Sequence, residues 1–193
     1  MNGSNESIRS TGIPELDTLL GGGLPSNATV YLSGSPGAGK TILALEWLFR
    51  GYKDFQESGI YFTLTEPTTK LLTNLHKMNF ADREAVASVD MRLSDTKNSI
   101  VNHPGIHFID LRIMMGDLKL DKKDFTNKDI EKLCETIVEV VNKTNAKRVV
   151  LDSITALLYR LKNDEMIRQF IFRLGSFLGL MEAGVFLVGE GEN

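Results

Sequence analysis

An α/β fold, with a mostly parallel sheet flanked by helices on both faces, is what this sequence predicts, and two patterns predict it. Short apolar runs rich in Val, Ile, Phe and Tyr occur at 28–33, 59–65, 106–111, 147–152 and 184–189, bounded by Gly, Asp, Pro or Ser, and read as strands. Helical patterns lie between them at 40–52, 68–78, 127–141 and 165–181. Alternation of the two kinds demands crossover connections, and so parallel strands with helices packed on them. A length of 193 residues suits one domain, 1–193, rather than two independent cores.

Taken in order, residues 1–7 are polar and read as a frayed terminus, with no apolar stretch of the signal-peptide kind. In 11–27, Ile13, Leu16, Leu19 and Leu20 make a short apolar turn ended by Gly21, Gly22 and Gly23, which suit a helix stop and a tight reversal. The helix at 40–52 is apolar nearly all round, as expected of one buried on more than one side. Within 127–141, Ile130, Leu133, Ile137 and Val141 recur at steps of three and four. Within 165–181, Ile167, Phe170, Ile171, Leu174, Phe177, Leu178 and Met181 do the same, so each helix has one apolar face. Residues 82–105 are polar and irregular and read as a loop with one short element.

Composition excludes several classes. A net charge of −3 argues against tight non-specific nucleic-acid binding, which needs many Lys and Arg to displace counterions. The longest apolar stretch, 170–188, is broken by Arg173 and Glu182 and falls short of the ~18 uninterrupted residues of a membrane span. Cys134 is the single cysteine, which forbids an intrachain disulfide and reads as a small buried hydrophobe in a helix. These readings together give a cytoplasmic protein. His103 and His107 flank Pro104-Gly105 with no nearby Cys or acidic cluster, and do not read as a zinc site.

The sharpest signal is Gly34-Ser35-Pro36-Gly37-Ala38-Gly39-Lys40-Thr41, which satisfies G-x-x-x-x-G-K-[ST]. Its glycines let main-chain N–H groups turn inward around phosphates, and the following helix offers its N-terminal dipole to the anion. In such a loop Lys40 reaches the β- and γ-phosphates and the Thr41 hydroxyl is a Mg²⁺ ligand. A plain glycine-rich turn is the alternative, yet at average Gly usage only roughly 1% of chains this long would match by chance. The preceding strand and following helix have the right character. ATP or ADP with Mg²⁺ is the expected ligand.

Two acids lie at strand ends. Asp152 closes Arg148-Val149-Val150-Leu151, where P-loop proteins hold Mg²⁺, usually through its water shell. The alternative is helix capping by Asp152 or Ser153 ahead of Ile154-Thr155-Ala156. Glu66 follows the strand Ile60-Tyr61-Phe62-Thr63-Leu64-Thr65, where a carboxylate can orient and deprotonate the water that attacks the γ-phosphorus. As a surface acid before Pro67 it would instead mark a turn, and spacing leaves both readings open.

With these segments in hand, the sequence resembles the KaiC-like branch of the RecA superfamily of ATPases. The likeness is carried by STGIPELDTLLGGGLP, GSPGAGKT, YFTLTEP, KRVVLDSITAL and the closing stretch from Arg168 through Leu187, and runs from about Ile8 to the end. It implies a RecA-like P-loop NTPase core that hydrolyses ATP. Lys40 would be the phosphate lysine, Thr41 and Asp152 the Mg²⁺ site, and Glu66 with Lys40 the catalytic pair. It also implies a homo-oligomer, or a protein partner, with nucleotide between neighbours. A regulatory module that binds without hydrolysing and a RadA-like recombinase paralogue are the rival readings.

Two departures stand out. Many members carry two adjacent glutamates where this chain has Thr65-Glu66. Members also continue beyond the point matching Asn193, with strands and basic residues that reach a neighbour's γ-phosphate; an arginine finger is worth ~10³–10⁵ in rate, so binding could outlast turnover. The resemblance further implies the strand order 28–33, 184–189, 147–152, 59–65, with 106–111 outermost and 28–33 at the opposite edge.

Overall fold

The computed structural model describes residues 7–90, 103–120, 124–161 and 163–191. Among the described residues eight strands form two sheets: β1 Ile8–Arg9, β2 Leu24–Pro25, β3 Thr29–Gly34, β4 Gly59–Thr63, β5 Val86–Val89, β6 Ile106–Asp110, β7 Arg148–Asp152 and β8 Gly184–Glu190. The helices are α1 Pro14–Leu19, α2 Lys40–Phe55, α3 Thr68–Leu75, α4 Leu111–Asp117, α5 Asn127–Thr144, α6 Ile154–Leu158 and α7 Asp164–Leu180, with a 3₁₀ turn at Arg83–Ala85. β1 and β2 pair antiparallel as a small ribbon that brackets α1.

The main sheet has six strands in the order β3-β8-β7-β4-β6-β5, every pair parallel. The order expected for the first five strands is the order found, with β3 at one edge. One expectation needs correction: Ile106–Asp110 is not outermost. Val86–Val89 pairs beyond it, with a register shift between Val86 and Ser88. That tetrapeptide, Val-Ala-Ser-Val, is too short and too small-chained to show an alternation inside the polar stretch around it.

Burial explains how the strands read. Every residue of β4, β6 and β7 is buried, which is why each appears as a near-continuous apolar run. β3 alternates exposed and half-buried residues, as an edge strand does. Ala28 O and Gly34 O accept from Val185 and Gly191 N–H, so the main-chain groups of Thr29, Tyr31 and Ser33 are directed away from β8.

The core has two halves, one on each sheet face. Ile60, Phe62, Val149, Leu151 and Leu187 pack against α5 and α7. Tyr61, Phe108, Val150, Phe186 and Val188 pack against α2 and α3, where Trp47 stacks on Phe186 with centroids 4.0 Å apart. α7 buries Met166, Phe170, Leu174 and Leu178 at steps of four, and the Asn163 side chain caps its start by accepting from Met166 N–H at 3.0 Å. At the opposite end of the sheet from the strand carboxyl termini, the Arg148 guanidinium is fully buried and donates to the carbonyls of Ser10, Thr11 and Trp47. Its position requires Gly51, where a Cβ would lie 2.3 Å from Arg148 Nε. Among the described residues no helix is long and apolar enough to cross a membrane.

Candidate functional site

The carboxyl ends of β3, β7 and β4 gather the residues that the motifs single out. β3 ends at Gly34 and α2 begins at Lys40, so residues 35–39 make the connecting loop. Gly37 and Gly39 hold φ of 80° and 87°, the left-handed region that favours glycine. A Cβ at either would meet nothing within 4 Å, so backbone conformation and not crowding calls for glycine. Lys40 Nζ lies over the loop, donating to Gly34 O at 2.8 Å and Ser35 O at 2.9 Å.

Thr41, one residue into α2, donates from Oγ1 to Asp152 Oδ2 at 2.6 Å. The parallel pairing of β7 next to β8, and β8 next to β3, brings together two side chains 111 positions apart. Asp152 is 7% exposed, so a partnered carboxylate is what this environment demands. Tyr61 on β4, which nothing in the sequence singles out, donates its hydroxyl to the same Oδ2. Burial, and then the Asp152 charge, push the Tyr61 phenol well above its ordinary 10, so it stays protonated and acts as a donor.

Glu66 stands just past the end of β4. Thr63 Oγ1 donates to Glu66 O at 2.7 Å, and Leu64 N–H donates to Asp152 O at 2.7 Å, which ties the turn carrying Glu66 to the end of β7. One Glu66 carboxylate oxygen, Oε2, lies 3.2 Å from Lys70 Nζ on α3. Further along the same edge, Arg112 pairs with Asp110, and Asp90 accepts from Thr68 Oγ1 at 2.6 Å. These partners occupy the carboxylates beyond Glu66.

The donor set fits a hard divalent cation bound together with phosphate. It offers one hydroxyl and one carboxylate at the start of α2, beside the glycine loop. Among the described residues no group of three or more His, Cys, Asp or Glu could hold a metal. A cation at Thr41 and Asp152 would complete its shell with phosphate oxygens and water, the habit of Mg²⁺.

Comparison with known proteins identifies the family and the fold. A family model described as the KaiC ATPase matches residues 9–193. The circadian clock oscillator protein KaiC of Picosynechococcus is 30% identical over 175 residues, which is 90% of this chain and 30% of that protein. A UPF0273 protein of Thermotoga maritima is 31% identical over 173 residues, 87% of this chain and 63% of its own length. The chain thus spans about a third of the clock protein and somewhat under two thirds of the other. The crystal structure of a KaiC-like protein from Pyrococcus horikoshii superposes with a TM-score of 0.68 at 25% identity, covering 96% of this chain and 71% of that one.

Proposed function

The chain belongs to the KaiC family of RecA-type ATPases, and from that premise we propose that it binds Mg²⁺–ATP at residues 34–41 and hydrolyses it to drive a conformational or assembly change. The observation that carries this reading is the 2.6 Å bond from Thr41 Oγ1 to Asp152 Oδ2 at the mouth of the glycine loop. Two motif residues distant in sequence meet where a phosphate-bound cation belongs.

Each residue has a defined task. The main-chain amides of 35–41 and the start of α2 bind the phosphates, and Lys40 exchanges its carbonyl partners for phosphate oxygens. Thr41 and Asp152 would hold Mg²⁺, which when bound neutralises charge on the phosphate oxygens. Glu66, just past the end of β4, accepts a proton from the attacking water. Family membership points to self-association, with a neighbouring copy of the chain as the partner on which the change acts.

One observation favours a binding-only module instead: Lys70 Nζ engages Glu66 Oε2 at 3.2 Å. Turnover and affinity of Glu66→Gln beside Asp152→Asn separate the two. Hydrolysis predicts that Glu66→Gln keeps ATP affinity and loses turnover by ~10²–10⁴, while Asp152→Asn weakens Mg²⁺-dependent binding. Equal turnover in wild type and Glu66→Gln would leave the binding-only reading. Specific turnover that rises with protein concentration would mark a site completed by a neighbouring copy.

A further inference from the structure

We propose that Tyr61 is a positioning residue of this site: its buried hydroxyl locks the Asp152 carboxylate against Thr41 and thereby sets how tightly a divalent cation is held with the nucleotide. The inference rests on the Mg²⁺–nucleotide reading above and adds to it a residue to which none of the motifs assigns a role.

The placement follows from strand register. Tyr61 on β4 pairs with Val150 on β7, and Asp152 lies two residues further along β7. With a side-chain period of two, Tyr61, Val150 and Asp152 share the α2 face of the sheet. A side chain as long as tyrosine reaches the diagonal neighbour across a strand pair. Tyr61 is 1% exposed, and its ring packs on Phe108 with centroids 5.8 Å apart, so the core fixes where the hydroxyl sits.

The bonding pattern gives that hydroxyl its role. Thr41 Oγ1 and Tyr61 Oη both donate to Asp152 Oδ2, so the carboxylate cannot rotate without breaking two bonds on one oxygen. Thr41, on α2, is itself a proposed cation ligand, whereas Tyr61 belongs to the sheet and serves Asp152 as a donor only. Hydrogen bonds from the second layer to a ligating carboxylate are what tune metal affinity, typically by ~10–100-fold. Phenylalanine would fill the same volume and leave Asp152 held by Thr41 alone.

The test is Tyr61→Phe in the full chain, with affinity for a non-hydrolysable ATP analogue measured by calorimetry across a Mg²⁺ series and in EDTA. The Mg²⁺ concentration giving half of the affinity gain should rise by ~10-fold or more, while affinity in EDTA is unchanged. Because Tyr61 acts through Asp152, adding Tyr61→Phe to Asp152→Asn should weaken the Mg²⁺ response no further. An unshifted Mg²⁺ response, an equal loss with and without Mg²⁺, or additive losses in the double variant would each overturn the assignment. If wild-type affinity is indifferent both to Mg²⁺ and to Asp152→Asn, the Mg²⁺ reading itself fails and Tyr61 falls with it.

Discussion

Single side chains in this molecule are held by bonds whose loss has a direction and a size. His107 on β6 is fully buried, its Nδ1 shares a 2.8 Å hydrogen bond with Ser88 Oγ, and its Nε2 meets no hydrogen-bond partner among the described residues. Burial, which outweighs the contributions from His103, pulls its pKa from 6.5 down to about 4. Below pH 6.5 an unfolded chain therefore binds a proton that the folded chain refuses. The stability tied to His107 is complete above pH 6.5 and drains away as pH falls toward 4, by about 3 kcal/mol in all. Urea unfolding of wild type and His107→Gln between pH 7 and 4 should show the wild type losing stability faster over that window; parallel curves would contradict it. Motif residues such as Lys40, Thr41 and Asp152 are legible in the sequence because phosphate chemistry dictates their spacing. Tyr61 is not, since a tyrosine in a strand reads as an ordinary β-former and its hydroxyl's partner is set by register between strands far apart in sequence.

Elements of the fold are legible to the extent that their burial is uniform. β4, β6 and β7 declare themselves as apolar runs, and α5 and α7 by stripes at steps of three and four. β5 escapes notice because an edge strand of four residues, three half-buried and one exposed, carries no periodic signal. The start of the chain is another case, for Ser10 and Thr11 take their places from a tertiary contact rather than from local pattern. Arg148, on β7, donates to both of their carbonyls at 2.7–2.8 Å and to Glu57 at 2.7 Å, and Glu57 also binds Arg9 at 2.8 Å. Removing that guanidinium leaves buried carbonyls without a donor. Arg148→Met should cost about 3 kcal/mol in urea unfolding, with amide exchange rising first over 9–17. A variant as stable as wild type, with exchange unchanged there, would show that the N-terminal ribbon is held by other means.

Across the whole molecule, a parallel sheet with helices on both faces brings the ends of β3, β7 and β4 to one edge of the sheet, and chemistry collects there. Order does this work: β8 inserted between β3 and β7 sets the glycine loop at one flank and Asp152 at the next strand but one, close enough for Thr41 to bridge them. Membership of the KaiC family implies nucleotide binding, and the proposed place for it is the glycine loop at 34–41, where Gly37 and Gly39 hold left-handed φ. Calorimetric titration of ATP with Mg²⁺ into wild type and Lys40→Ala addresses that binding without depending on turnover. Wild type should bind, and Lys40→Ala should lose about 10–100-fold in affinity, the worth of a charge-assisted hydrogen bond to phosphate. Equal affinity in the two proteins would contradict nucleotide binding at this loop.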